Sequence, residues 1–270
     1  MKQWLKDAIA NPWLKQYILI GYAAKGSVYL SIGILALNAA ISEEKAAGTY
    51  STLAWLTARP LGKVLVSLLG IALFGYVLRR LFQTLLIPGY SNPWSFKCIL
   101  KRIGYIMSGL SYAGVAYSAL NIVFELGEAD DTIEDLVSEL FEQPIGEWLI
   151  LLGGIGVITV GLGYVYGAYT GSYISEFQSE DIHHQLEKWA TRIGKLGVAA
   201  RGIAFVLMGI FLVQAPIYGN SELAGGLENA LNLLSTKPLG WLWLSLIGIG
   251  MMCYGIYMFV AAVYRRYAIR

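Results

Sequence analysis

The chain has 270 residues, of which 56% are hydrophobic and 14% charged, with a mean hydropathy of +0.56 and a net charge of +2. Soluble domains carry about 25% charged residues, so this composition excludes an ordinary soluble protein. The small net charge gives no indication of nucleic-acid binding. Because helices satisfy their own backbone hydrogen bonds in lipid, the sequence predicts an all-α membrane protein.

Six apolar segments have the length, about 20 residues, that a helix needs to cross roughly 30 Å of hydrocarbon. In chain order they are 17–41, 62–87, 103–124, 146–173, 197–217 and 239–264. The sequence therefore predicts six transmembrane helices, with both termini on the same side.

The basic residues predict the orientation. On the side of the termini lie Lys2, Lys6, Lys15, Arg79, Arg80, Lys97, Lys101, Arg102, Lys188, Arg192, Lys195, Arg265, Arg266 and Arg270. The opposite side carries Lys45, Arg59, Lys63 and Lys237. This asymmetry predicts cytoplasmic termini. The outer loop 125–142 is acidic and has no basic residue, which is typical of a solvated loop and would also suit a cation-attracting or partner-docking surface.

Three copies of a two-helix unit are visible in the spacing of the residues. The odd-numbered helices share Gly21-x3-Lys25-Gly26-x6-Gly33, Gly104-x3-Ser108-Gly109-x6-Ala116 and Gly197-x3-Arg201-Gly202-x6-Gly209. The even-numbered helices open on Pro60-Leu61-Gly62, Pro144-Ile145-Gly146 and Pro238-Leu239-Gly240. The motifs advance together by about 84 and then about 94 residues, which indicates internal repeats.

Each unit also carries an aliphatic pair before its proline: Leu53 and Leu56, Val137 and Leu140, Leu231 and Leu234. The i, i+3 spacing of these pairs predicts a short amphipathic helix on the outer surface, and proline suits the start of the helix that follows. We expect repeats over 1–98, 99–187 and 188–270. Units with an even number of spans face the same way, so a pseudo-threefold bundle is the simplest arrangement, with a row of hairpins as the alternative.

Two cytoplasmic segments are predicted to lie on the headgroups. Residues 4–9 place Trp4 and Ile9 on one face, and residues 182–193 carry a stripe that includes Leu186 and Trp189. An apolar stripe beside basic residues is typical of an interfacial helix.

The chain resembles the bacterial membrane proteins with tandem two-helix repeats that are known only as a domain of unknown function. The resemblance rests on the Gly-x3-[Lys/Arg]-Gly signature at 21–26 and 197–202, the P-[LI]-G starts and the closing Tyr264-Arg265-Arg266-Tyr267. It implies the repeated fold and a location in the bacterial cytoplasmic membrane, and it implies no activity. Ser108 departs from the basic pattern, so a symmetric site of three cations is not expected.

Lys25 and Arg201 are the first candidate site residues, because a charge at the bilayer centre costs at least about 2.5–3.5 kcal/mol. They occupy equivalent places in repeats one and three. One interpretation is a site for an anion or an anionic lipid headgroup. The alternative is that both side chains reach back to the cytoplasmic interface.

Asn38, Asn121 and Gln214 follow the three signatures at one offset and are the second candidates. They could form inter-repeat polar contacts, cap helix ends or line a pore mouth. Lys25 and Asn38 are 13 residues apart, so they point about 140° apart on a helix. Both sets are therefore not expected to face one axis.

The glycine spacings predict close helix packing. Gly163-x3-Gly167-x3-Gly171 repeats a small-x3-small pattern, and Gly26/Gly33 and Gly202/Gly209 each lie seven residues apart. Such faces let helix backbones approach each other.

No pattern indicates an enzyme, a metal site or a cofactor. The only histidines, His183 and His184, lie in a cytoplasmic loop, and no carboxylate lies deep in a span, which removes the usual proton relay. Two function classes remain: a non-enzymatic scaffold or partner subunit that engages lipids or other membrane proteins, and a small passive channel or transporter along the pseudo-threefold axis.

Overall fold

A computed structural model describes residues 12–42, 45–86, 96–124, 138–143, 145–172, 184–224 and 226–264. Its helices are α1 (Pro12–Ser42), α2 (Thr49–Thr57), α3 (Gly62–Leu86), α4 (Phe96–Phe124), α5 (Gly146–Thr170), α6 (His184–Tyr218), α7 (Leu227–Ser235) and α8 (Gly240–Tyr264). Residues 138–141 are also helical, and Ser221–Ala224 form a 3₁₀ turn.

Six of these helices are long and apolar enough to cross a membrane: α1, α3, α4, α5, α6 and α8. The predicted all-α fold with six spans is therefore confirmed. Helix α6 differs from its predicted span because it begins at His184 and continues without a break to Tyr218. The stripe containing Leu186 and Trp189 thus belongs to α6 and is not a separate helix. Residues 4–9, and loop residues 125–137, lie outside the described part of the chain.

The six spans form a ring that is open between α4 and α5 in the described part of the chain. Helix α1 packs against α8, α3 against α4, and α5 against α6, so the first helix of each unit contacts the second helix of another unit. Within the units, α1 packs against α3 and α6 against α8. The contact between α1 and α8 joins the first unit to the third, so each unit contacts both of the others, as in a pseudo-threefold arrangement. In a row of hairpins the first and third units would not touch.

Glycines make two of these helix contacts possible. A Cβ atom on Gly33 of α1 would lie 2.6 Å from the carbonyl oxygen of Gly248, and one on Gly161 of α5 would lie 2.7 Å from that of Gly202. The helix backbones therefore touch, as the Gly26/Gly33 and Gly202/Gly209 spacings predicted. The packing predicted for the Gly163 run is wrong, because no atom lies within 4 Å of a Cβ on Gly163 and Gly171 ends α5 at a φ of 69°.

The short outer helices are present in all three units, as α2, α7 and residues 138–141. The returning helices begin at Gly62, Gly146 and Gly240, two residues after each proline rather than at it. A Cβ on any of these three glycines would lie within 2.1 Å of a carbonyl oxygen of the preceding outer segment. The glycine of P-[LI]-G therefore lets the outer helix fold back onto the start of its neighbour.

The end of the bundle that carries α2 and α7 also joins the first unit to the third. The backbone N–H of Ala46 donates to Asn232 Oδ1 at 2.7 Å, and that of Gly48 donates to Glu228 Oε2 at 3.1 Å. The hydroxyl of Ser51 donates to the same carboxylate oxygen. Helix α7 thus supplies hydrogen-bond acceptors to the segment that precedes α2 and to the first turn of α2, a contact that the repeat pattern did not predict.

Candidate functional site

Lys25 and Arg201 are buried, with 1% and 4% of their surface exposed. Neither side chain reaches back to an interface, which was one of the two interpretations of the sequence. Instead, Lys25 of α1 and Arg201 of α6 lie among aromatic rings at the centre of the ring of helices. The two equivalent cations of repeats one and three are therefore brought together.

Each cation hydrogen-bonds to a tyrosine on the second helix of its own repeat. Lys25 Nζ donates to the hydroxyl of Tyr76 at 3.1 Å, and Arg201 Nη1 donates to that of Tyr254 at 2.5 Å. Tyr76 and Tyr254 stand at equivalent places, each 16 residues after the proline of its repeat. Repeat two has Ser108 and Val160 at these two places, so it lacks both members of the pair.

A second set of rings comes from the odd-numbered helices, one turn after the cation position. Tyr29, Tyr112 and Phe205 are equivalent residues of the three repeats. The hydroxyl of Tyr112 donates to that of Tyr29 at 3.1 Å. The guanidinium carbon of Arg201 lies 5.2, 5.7 and 5.2 Å from the ring centroids of Tyr29, Tyr112 and Phe205. The three repeats thus meet around one cation.

Lys25 lies over three rings as well. Its Nζ is 4.3 Å from the ring centroid of Tyr76, 4.4 Å from that of Tyr112 and 5.2 Å from that of Tyr254. A desolvated cation over an aromatic ring is stabilised by about 2 kcal/mol. Since Tyr112 and Tyr254 also lie beside Arg201, the two cations share two rings and belong to one cluster.

A third cation comes from α3. The guanidinium carbon of Arg80 lies 5.0 Å from the ring centroid of Tyr76, and Arg80 also donates to the Tyr76 hydroxyl and to Gln83 Oε1. We call the side chains of this group the central cluster: Lys25, Tyr29, Tyr76, Arg80, Tyr112, Tyr164, Arg201, Phe205 and Tyr254.

Within the six long helices, the central cluster carries positive charge without a matching carboxylate. The acidic residues of the six long helices are Glu147 and Glu187, and both lie in the first turn of their helix. The Nε atoms of Arg80 and Arg201, and the hydroxyl of Ser108, are buried and have no hydrogen-bond partner among the described residues. The site is therefore suited to hold an anion.

The three amides do not share an environment. Asn38 is exposed, Gln214 is half-buried, and Asn121 is 5% exposed. The exposure of Asn38 agrees with the expectation that it and Lys25 point apart. The inter-repeat or pore-mouth role of Asn38, Asn121 and Gln214 stays a prediction.

The aromatic residues of the central cluster were not predicted, although they occupy equivalent positions in the repeats. Extending the repeat alignment by four residues from Lys25 and Arg201 reaches Tyr29 and Phe205, and extending it by 16 from the prolines reaches Tyr76 and Tyr254. No groups of three or more His, Cys, Asp or Glu side chains that could hold a metal ion occur within the described ranges.

Comparisons with known proteins agree with the repeats. A model of the family described as Domain of Unknown Function (DUF1206) matches residues 20–86, 103–171 and 196–265. "Uncharacterized protein YxxB" of Bacillus subtilis (strain 168) is 29% identical over 256 residues, which cover 94% of this chain and 92% of that protein. No solved structure matches. Because three copies of the family model cover more than half of the chain, it belongs to the DUF1206 family.

Proposed function

We propose that the protein is a non-enzymatic scaffold or partner subunit of the bacterial cytoplasmic membrane, with both termini in the cytoplasm. The single observation that carries this proposal is the central cluster. Its rings come from all three repeats, and Tyr76, Tyr112 and Tyr254 are at most 5% exposed. Side chains therefore occupy the place where a path along the pseudo-threefold axis would run.

The charge of the cluster supports the same proposal. A passive path needs groups that replace the hydration shell of the solute. Here Lys25 Nζ donates to the hydroxyl of Tyr76, and Arg201 Nη1 donates to that of Tyr254, so both cations already bind side chains of the protein. The positive charge would repel cations.

Purified protein in liposomes tests this proposal against the channel alternative. We expect potassium, chloride and glycerol to leave loaded vesicles at the rate seen for protein-free vesicles. Flux that rises with the amount of protein and falls in Asn121→Ala or Gln214→Ala would overturn the scaffold proposal and favour the channel.

Two substitutions test whether any flux passes through the central cluster. Phe205→Ala removes one of the three equivalent rings, and we expect this opening of the centre to increase leakage. Tyr218→Ala, at an exposed ring near the end of α6, should leave leakage unchanged.

A further inference from the structure

The ring of helices is open at one seam, between α4 and α5. These two helices belong to repeat two and do not pack closely in the described part of the chain, whereas α1 packs against α3 and α6 against α8. The seam coincides with the repeat that has Ser108 and Val160 in place of the cation and its tyrosine. The pair that joins the two helices of repeats one and three is therefore missing where the ring is open.

Small residues leave open space on the face of α5 that points away from α6. Gly161 faces α6, and Gly163 lies about 200° further around α5, where no atom comes within 4 Å of a Cβ placed on it. Gly156, one heptad earlier, is equally open. On α4, the Ser108 hydroxyl is buried and has no hydrogen-bond partner among the described residues.

Arg201 lies behind this opening. Its guanidinium carbon is 4.8 Å from the ring centroid of Tyr164 on α5 and 5.7 Å from that of Tyr112 on α4, the two helices that flank the seam. The side chain is 4% exposed, and its Nε has no hydrogen-bond partner in the part of the chain that the structure describes. A buried cation with an unused donor, and with no carboxylate beside it in the long helices, indicates an anionic ligand.

We propose that the seam between α4 and α5 admits one anionic phospholipid sideways from the bilayer, with its phosphate on Arg201 and Ser108 and an acyl chain against Gly156 and Gly163. Binding exchanges ring contacts of the guanidinium for charge-assisted hydrogen bonds. A lipid is favoured over a free anion because the seam opens to the bilayer and rings close the axis. This proposal does not depend on the scaffold function.

Native mass spectrometry of the full chain, stripped of lipid in a neutral detergent, tests whether lipid binding needs the positive charge of Arg201. We expect dioleoyl phosphatidylglycerol to bind in a one-to-one complex, and Arg201→Gln to weaken it at least about tenfold, since hydrogen bonds between charged groups are strong. Arg192→Gln, at an exposed position of the same helix, should not change it. Equal binding by wild type and Arg201→Gln would overturn the proposal.

The source of the phosphate is tested with the same protein. Inorganic phosphate at millimolar concentration should not displace phosphatidylglycerol, and dioleoyl phosphatidylcholine should bind more weakly than phosphatidylglycerol. Displacement by phosphate would show a site for a free anion, and equal binding of the two lipids would show an apolar groove without charge selection. Either result overturns the proposal.

A substitution that leaves the cations unchanged tests whether the lipid binds in the seam. It also tests the proposal if the Arg201→Gln variant does not fold. Gly163→Leu places an apolar side chain in open space and should weaken phosphatidylglycerol binding at least about tenfold through exclusion of the acyl chain. Gly114→Leu is the matched control, because Gly114 is equally open but lies about 200° from Tyr112 on α4. Unchanged binding by a folded Gly163→Leu variant would overturn the proposal.

Discussion

Tyr254 shows how a buried cation is tolerated at the scale of a single residue. Its ring lies 5.1 Å from the guanidinium carbon of Arg201, and its hydroxyl accepts a hydrogen bond from Nη1. The ring and the hydroxyl act separately, because the ring attracts the charge through its quadrupole while the hydroxyl accepts one donor. A substitution can therefore remove one contribution and keep the other.

Tyr254→Phe keeps the ring and removes the acceptor. We expect the free energy of unfolding to fall by about 1.5–3 kcal/mol, the usual contribution of a hydrogen bond to a charged group. The measurement is denaturant unfolding of the purified protein in mixed micelles. Tyr166→Phe on α5 is the control, since Tyr166 is 69% exposed. A loss of the same size in both variants would contradict this account.

Lys25→Met tests whether the positive charge serves the fold. Removing the ammonium ends its repulsion with Arg201, with which it shares two rings, and Arg80 still donates to the Tyr76 hydroxyl. Replacing buried charge by an apolar side chain of similar volume is often neutral or stabilising. We expect the free energy of unfolding of the lipid-free variant to equal that of the wild type or to exceed it by up to about 2 kcal/mol.

The same unfolding measurement in mixed micelles decides between two roles for Lys25. A clear loss of stability in Lys25→Met would mean that the cation holds the helices together. Unchanged stability together with weaker phosphatidylglycerol binding would mean that the cation is kept for a ligand. Lys25→Arg, which retains the charge, separates the effect of charge from that of shape.

At the scale of the helices, two glycines of α5 offer a matched pair. A Cβ on Gly161 would lie 2.7 Å from the Gly202 carbonyl oxygen and 2.8 Å from Val206, whereas Gly163 has open space. Gly161→Ala should therefore lower the free energy of unfolding by about 1–3 kcal/mol, as overpacking does. Gly163→Ala should leave it unchanged or raise it by about 0.5–1 kcal/mol through helix propensity.

Both variants are compared by denaturant unfolding of the purified protein in mixed micelles. Equal effects at the two positions would mean that α5 and α6 are not in backbone contact at Gly161. A fall in Gly163→Ala alone would mean that another helix occupies the seam in the membrane.

This pair also shows what the spacing of residues can and cannot predict. The seven-residue spacing of Gly26/Gly33 and of Gly202/Gly209 correctly predicted two packing faces, because the same spacing recurs at equivalent places in two repeats. The Gly163 run had the same chemistry and was wrongly predicted to pack. Spacing places glycines on a common face, but only the position of neighbouring helices decides whether that face meets a backbone or open space.

For the molecule as a whole, the repeats predicted six spans and a pseudo-threefold arrangement, since equal units with an even number of spans close most simply around one axis. The opening between α4 and α5 was not predicted. Its signal, Ser108 together with Val160, has meaning only once Lys25–Tyr76 and Arg201–Tyr254 are known to be pairs. Residues 51 and 53 positions apart meet through the fold, and a single sequence does not reveal such pairing.

Orientation decides which leaflet meets the seam. The distribution of basic residues predicts that the start of α6 is cytoplasmic and that the turn before α8 is external. After Cys98 and Cys253 are replaced by alanine, Lys237→Cys and Gln185→Cys provide one exposed thiol on each side. A membrane-impermeant maleimide should label Lys237→Cys in intact cells, and Gln185→Cys only after the membrane is opened.

The reverse labelling pattern would mean that the protein has the opposite orientation in the membrane. Arg80 lies six residues before the last residue of α3, at the membrane side that α6 enters, so the central cluster lies closer to the side of the termini than to the outer helices. With the predicted orientation, that side is the cytoplasmic leaflet, whose anionic lipids give a negative surface potential. Labelling therefore also tests whether the positive cluster lies at the level of the cytoplasmic leaflet, whose anionic lipids would supply its ligand.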